Sequence, residues 1–332
     1  RDTLTRARFD ESNRLRELVS QLRARREQAV TGNGHGLAMA AACAGMSPLA
    51  RLNHSLSGLG GLRHLRALDE SLQDTTAQRE LGEQLQSVHD AISAMRIEWL
   101  AIAEQQQLDA ICSLAGEIMG ASACKGESRF TLDPVRERNG ELWLANTQVN
   151  FCARAYPTVP VGHPDAAALT VLGGFLRNGY LHRAIREQGG AYGGGASQDS
   201  GIGAFRFYSY RDPRLEDTLA DFDAAVAWLQ ETAHEYRALE EAILGVVGSL
   251  DKPGSPAGEA KQHFHNALFG RTHEQRERFR RAVLEVSMDD LRRVGQTYLQ
   301  PELASTAVIT GSAMRERAAD LCGQFDLALQ EL

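Results

Sequence analysis

Two histidines one helical turn apart with a carboxylate between them, as HExxH or its inverse HxxEH, occur nowhere in the 332 residues. The nearest approaches among ten histidines are His263-x-His265 and His273-Glu274. Both sit in polar, helical surroundings and read as solvated surface, so the chain is expected to hold no catalytic metal of its own. Also missing is any CxxC. The five cysteines, Cys43, Cys112, Cys124, Cys152 and Cys322, are odd in number, widely spaced and mostly set in apolar segments. They read as reduced core residues of an intracellular protein. GxSxG is absent, neither Ser197 nor Ser209 has a nominated base, and a cysteine nucleophile is no better supported. No apolar run approaches the roughly 18–20 residues that span a bilayer. The net charge is -7, with arginines scattered along helices and opposed by Glu and Asp. That balance argues against nucleic acid or an anionic membrane as partner. Arg1 stands where a methionine would begin a chain, and no basic-then-apolar leader follows it; the sequence reads as a piece of something longer.

The remaining pattern is α+β, long enough for two domains, and residues 121–332 are expected to form a largely antiparallel sheet covered on one face by helices. Leu15, Leu18, Val19 and Leu22 recur at helical spacing with Asp10 placed as a cap, and Thr31–Gly36 (TGNGHG) is expected to break that helix. An Ala-rich helix, Leu37–Ala44, has side chains small enough for close packing. Short helices follow around Pro48 and from about Leu62 to Ile92, then a strand, Arg96–Ala103, and a helix, Gln105–Met119. The irregular, polar stretch Gly120–Gly140 is the candidate domain boundary. Beyond it Glu141–Ala155 is strand-like, with Val149, Phe151, Ala153 and Ala155 on one face. A helix from Pro164 and a Gly-rich turn lead to strands Ala191–Ser197 and Gly203–Arg211, read as a hairpin with Gly201 in its turn. Asp212-Pro213 reads as the cap and first-turn proline of a helix carrying Leu215, Leu219, Phe222, Val226 and Leu229. Helices follow from His234, Pro256, His273 and Met288, the last announced by Ser287-x-x-Asp290. A strand, Ser305–Thr310, and a helix, Ala313–Leu329, close the chain. Arg96–Gly116 and Ala304–Phe325 share the order strand, polar turn, Cys-bearing helix, which suggests a weak internal repeat.

The stretch from Leu176 to Pro213 (LRNGYLHRAIREQGGAYGGGASQDSGIGAFRFYSYRDP) carries the chemistry. A cationic helix end, Arg183 and Arg186, precedes a glycine run with one phenol, Tyr192. A planar guanidinium and a phenol delivered at a strand start can hold a peptide carbonyl and stabilise its oxygen as charge develops. The run GGAYGGGA lacks the Lys-Ser/Thr of a phosphate loop, and a strand follows it, so nucleotide binding is not expected. Glycines within a strand mark close approach of another backbone, which suits a peptide added to a sheet edge. Plainer readings stand beside these: Arg186 as a cation favoured by a helix C-terminus, and Tyr192 and Tyr208 as ordinary sheet aromatics.

LRNGYLHRAIREQGGAYGGGAS, then FRFYSYRDPRLEDTL, and also Arg26–Pro48 (REQAVTGNGHGLAMAAACAGMSP), resemble the C-terminal half of the insulinase/pitrilysin family of zinc metallopeptidases, most closely its presequence-protease branch. The resemblance implies four homologous α+β units in two halves that close around a peptide chamber, zinc being held by HxxEH and a distant glutamate in the first unit. On that reading residues 1–120 are the end of the third unit and residues 121–332 are the fourth. Arg186 and Tyr192 are then the catalytic contacts, and Gly189, Gly190, Gly193, Gly194 and Tyr208 bind substrate. The implied function is the non-zinc-binding half of an endopeptidase that degrades short unstructured peptides, inactive alone. Its partner would be the zinc-bearing N-terminal half of the same polypeptide, in a bacterial cytoplasm or an organelle matrix. The alternative is a non-catalytic peptide-binding or scaffold subunit of a family heteromer.

Overall fold

The computed structural model of the chain describes residues 6–95, 98–119 and 130–332. Its centre is a mixed six-stranded sheet, β1 Gly140–Ala145, β2 Phe151–Pro157, β3 Gly193–Asp199, β4 Ala204–Tyr210, β5 Ser305–Gly311 and β6 Ala328–Glu331, in the order β3-β4-β2-β5-β1-β6. The β3-β4, β4-β2 and β2-β5 pairs are antiparallel. The β5-β1 and β1-β6 pairs are parallel. The α+β class inferred from sequence is therefore correct, with a parallel edge that the sequence reading did not contain.

Alternation decides what each face buries. Along β4, Phe205, Phe207 and Ser209 are buried while Arg206, Tyr208 and Tyr210 are half-buried. Cys152, Tyr156, Phe205 and Phe207 pack into a cluster with Leu169, Leu172 and Phe175 of α6 (Ala166–Leu176) and with Leu219 and Phe222 of α7 (Glu216–Glu231). A fully buried aromatic such as Phe207 contributes roughly 1.5–3 kcal/mol by leaving water. On the opposite face Trp143, Phe151, Ala153, Ala307 and Ile309 cluster with Ala38, Ala41 and Ala42 of α1 (Ser12–Ala42) and with Leu59. The small residues let the helix lie close: a Cβ on Gly34 would stand 2.5 Å from the Phe151 ring. Helices therefore cover both faces, not the one face expected from sequence, because the Ala-rich segment folds back onto this sheet.

These elements form one compact unit, Arg26–His64, Leu132–Lys252 and His273–Leu332. The other unit, Arg1–Arg25, Leu65–Thr131 and Pro253–Thr272, is helical among its described residues. Inside it Arg23 pairs with Asp69 at 3.1 Å, and Gln78 Nε2 donates to the Leu72 carbonyl at 2.8 Å.

The break expected in TGNGHG does fall there: Asn33 leaves helical geometry (φ -130°, ψ 28°), and α1 is two helical segments meeting across that kink. Several other sequence expectations need correction. Asp10 pairs with Arg8 at 2.8 Å, and the helix begins at Ser12. Residues 96 and 97 lie outside the described set, and Glu98–Ala103 is irregular, with Trp99 and Ile102 exposed. Strand-like composition does not suffice where no neighbouring strand satisfies the backbone, and the suggested repeat loses its first member. The C-terminal helix stops at Phe325, where Asp326 turns left-handed (φ 54°), and Ala328–Glu331 joins β1 as a strand. Asp212 does not cap: α7 starts at Glu216 after Leu215. Cys43 and Cys152 are buried, but Cys112 is exposed and Cys322 half-buried, while Cys124 lies outside the described residues. Burial pushes the Cys43 thiol up to about 12, and that of Cys152 upward as well. Much of the candidate boundary also falls outside the described residues; residues 130–139 are irregular.

Candidate functional site

Arg186 rides on a π-wound helical stretch, Arg177–Gln188, that continues α6. Widened turns of this kind are rare and concentrate at functional sites. Its side chain is exposed, and its guanidinium stands 3.5 Å from His182 Nε2, one turn earlier. His182 in turn faces Glu187 at 3.4 Å. Arg183 is exposed on the same stretch. The helix ends through backbone bonds: Gly190 N–H donates to Arg186 O and Ala191 N–H to Ile185 O, both at 3.1 Å.

Tyr192 follows with its side chain 69% exposed, high for an aromatic and unlike the half-buried strand residue of the plainer reading. Its N–H donates to Tyr210 O at 3.1 Å, and its ring meets the Tyr210 ring edge-on, centroids 5.5 Å apart. β3 then runs as an outer strand of the sheet. Arg186 and Tyr192 thus lie on the same exposed rim, where the helix hands over to the strand.

The glycines of this rim are there for different reasons. Gly190 has φ +78°, a conformation that disfavours side chains. A Cβ on Gly194 would fall 2.8 Å from Ile185, so that glycine serves packing. At Gly193 nothing stands within 4 Å of such a Cβ. Packing does not explain the small residue there, and it leaves the strand open to another backbone. Gly189 has ordinary helical angles (φ -82°, ψ -19°), but a Cβ would lie 1.9 Å from Arg214 Nη2. Gly189 is thus a seat for Arg214. In the hairpin turn Gly203, not Gly201, takes the positive φ (+65°).

Tyr208 faces away from the main cluster, its ring 5.7 Å from that of His35, which also meets Tyr210 edge-on at 4.7 Å. His35 Nδ1 is buried without a hydrogen-bond partner, and burial holds its pKa below the usual histidine value. Sequence reasoning had treated His35 only as part of a helix breaker. It also missed Arg177, whose Cδ would stand 3.1 Å from a Cβ on Gly195, next to the Tyr208 hydroxyl at 3.2 Å. Only the oddity of a histidine inside a glycine run could have pointed to His35. A groove of about 170 Å³ lined by Arg26, Asn33, Leu37, Ser57 and Leu62 shares no residue with the rim. Among the described residues no group of three or more His, Cys, Asp or Glu is placed to hold a metal ion. His263, His265 and His273 are exposed on helices Pro256–Leu268 and His273–Leu284.

Comparison with known proteins places this rim in context. The family described as PreP C-terminal domain matches residues 140–308, and a second, described as associated with subfamily C of the M16 peptidases, matches residues 1–68. The mitochondrial presequence protease of Yarrowia lipolytica is 32% identical over 88% of this chain and 29% of its own length. That of Kluyveromyces lactis is 31% identical over 89% of this chain and 31% of its own length. The chain thus spans about three-tenths of the length of these relatives. Among solved structures, a conserved protein from Enterococcus faecalis V583 shares the fold with a TM-score of 0.58 at 14% identity, covering 89% of this chain and 67% of the other. Among the described residues no helix is long and apolar enough to cross a membrane.

Proposed function

Because the chain belongs to the presequence-protease C-terminal family of M16 peptidases, we propose that it is the non-zinc-binding half of a zinc endopeptidase that degrades short unstructured peptides. The observation that carries this reading is the exposure of both Arg186 and Tyr192 at the head of an outer strand. A peptide laid along β3 would bond to its main chain at the open Gly193, while the guanidinium and the phenol reach toward a carbonyl. Both are donors fixed in advance, so their grip strengthens as the oxygen gains charge. Gly189, Gly190 and Gly194 shape the backbone beneath the peptide, and Tyr208 lines its far side beside His35. Zinc, where present, belongs to an N-terminal half, and the hydrolytic chemistry resides there.

In this reading residues 1–120 end a third family unit and residues 121–332 form the fourth. Support for such a division is that different family descriptions match the two ends of the chain. The named relatives are mitochondrial; we place this chain in an organelle matrix, or in the cytoplasm if its source is bacterial.

Mixing this chain with a separately produced zinc-bearing half tests the reading. Cleavage of an unstructured peptide only on mixing supports it, and cleavage by this chain alone overturns it. Cleavage on mixing that survives the loss of both Arg186 and Tyr192 side chains would instead favour a scaffold role.

A further inference from the structure

We propose that Arg214 is the positioning residue of the rim, a planar clamp that fixes where Arg186 and Tyr192 stand relative to each other. The proposal rests on the functional reading of those two residues. It starts from Gly189, whose backbone angles any residue could adopt. A side chain there is blocked by Arg214 Nη2 at 1.9 Å and Cζ at 2.4 Å, as well as by the Ile185 carbonyl at 2.6 Å. The guanidinium therefore lies against the main chain midway between Arg186 and Tyr192.

Its hydrogen bonds join the two sides of the rim. Nη2 donates to the Ala184 carbonyl at 3.3 Å and to Asp221 Oδ2 at 2.9 Å. Ala184 lies in the last turn of the stretch that carries Arg186, where a cation also complements the helix end. The backbone of Arg214 is held independently. Its N–H donates to Asp212 Oδ1 at 3.0 Å, and its carbonyl accepts from Asn150 Nδ2 at 3.2 Å. Asn150 and Asp212 exchange both backbone bonds, at 2.7 and 2.9 Å. Just before this anchor, Arg211 is held at φ +51°, and its carbonyl lies 3.4 Å from the Tyr192 N–H. A closed ring of contacts therefore runs from the Arg186 helix through Gly189 to Tyr192, across to Arg211 and Asp212, and back through Arg214 to Ala184. One nitrogen serves both oxygens, so a lysine ammonium could reach them too, but it could not lay a planar group flat against Gly189.

The test uses the complete zinc-bearing polypeptide, comparing Arg214→Met, Arg214→Lys, Gly189→Ala and Arg186→Ala with the parent. Two readouts are taken: kcat and KM on an unstructured peptide, and amide hydrogen exchange at Gly190, Ala191 and Tyr192. Misplacing a catalytic group by about 1 Å costs on the order of 10²-fold in rate. Arg214→Met and Gly189→Ala should therefore lower kcat by about that factor with KM little changed, and should speed exchange at those three amides but not in β2. Arg214→Lys should recover the parent's melting temperature without recovering kcat. Combining Arg186→Ala with Arg214→Met should cost less than the product of the two separate losses, since Arg214 acts partly through Arg186. Unchanged exchange at the three amides, or a kcat that recovers together with the melting temperature in Arg214→Lys, overturns the clamp. If Arg186→Ala itself keeps the parent's turnover, the peptidase role of the rim fails, while the exchange measurement still decides whether Arg214 positions it.

Discussion

Two neighbouring regions of this molecule use the same residue types in opposite ways. On the rim, Arg186 and Tyr192 are exposed, and the Arg186 guanidinium stands 3.5 Å from His182 Nε2. In the node beneath, Asp212 is fully buried and accepts from the Arg214 N–H at 3.0 Å and the Thr218 hydroxyl at 2.7 Å, while Asn150 bonds it from the side. Burial raises the Asp212 pKa above the usual carboxylate value, and its hydrogen bonds oppose that rise. The rim side chains leave most of their surface to solvent, whereas the buried carboxyl of the node accepts on both oxygens. The contrast predicts that rim and node mutations fail in different measurements.

The largest effect is expected on the rim. Arg186→Ala or Tyr192→Phe in the complete enzyme should lower kcat by about 10²–10³, the usual loss on removing one donor to a developing oxyanion, with a smaller rise in KM. Arg186→Lys should also be impaired, because a point charge does not reproduce the fork. Melting temperatures of this chain should not move. Normal turnover with a lowered melting temperature would erase the distinction between rim and node.

The node should show the reverse. Thr218→Val removes one of the hydroxyl donors to a buried carboxyl that Ser209 also serves, a loss of about 1–3 kcal/mol. Urea unfolding should register that cost, while kcat of the folded fraction stays at the parent's value. A variant that keeps full stability would mean that water replaces the hydroxyl and that the node is not closed.

The rim was far more legible in the sequence than the node. Arg186, the glycine run and Tyr192 fall within ten consecutive residues, and the alternation of Phe205, Phe207 and Ser209 announces β4 without any structure. Asn150, Asp212 and Arg214 come together only when β2 pairs with β4, and no local spacing encodes that meeting. The Asp-Pro pair even suggested a helix cap, the commoner use of such a dipeptide; here the Asp212 backbone was already bonded to Asn150. The described part of the expected strand, Glu98–Ala103, is irregular for a related reason: local composition reports that a segment could be a strand, not that a partner waits for it. The same limit hid β6, whose short sequence pairs with β1 only after the Asp326 turn.

A smaller effect checks an element whose local signal was sufficient. Ser287 and Asp290 form a reciprocal capping box at the start of helix Met288–Tyr298. Its Ser287 hydroxyl and the Arg293 guanidinium hold the Asp290 carboxyl below its usual pKa against the opposing effect of burial. Ser287→Ala should cost about 1 kcal/mol. Because the folded carboxyl is the stronger acid, its contribution is complete above the unfolded value and fades as pH falls through the folded one. Denaturation curves of parent and variant should therefore converge in acid; a constant gap would show that the charge plays no part.

The smallest effect belongs to His35, which stands between the two regions in character: half-buried, stacked against Tyr208 and Tyr210, with Nδ1 lacking a partner. Burial lowers its pKa, so the folded chain binds a proton less readily than the unfolded chain, whose histidine titrates near about 6.5. Stability is whole above that pH and is lost as pH falls below it, since the proton favours the unfolded state. The loss should be modest, because the ring is only partly enclosed. Between neutrality and about pH 5.5 the parent's melting temperature should therefore fall more steeply than that of His35→Phe, which keeps the ring packing and removes the titration. If the two curves run parallel, His35 takes up its proton without penalty, and it must then be counted with the open rim.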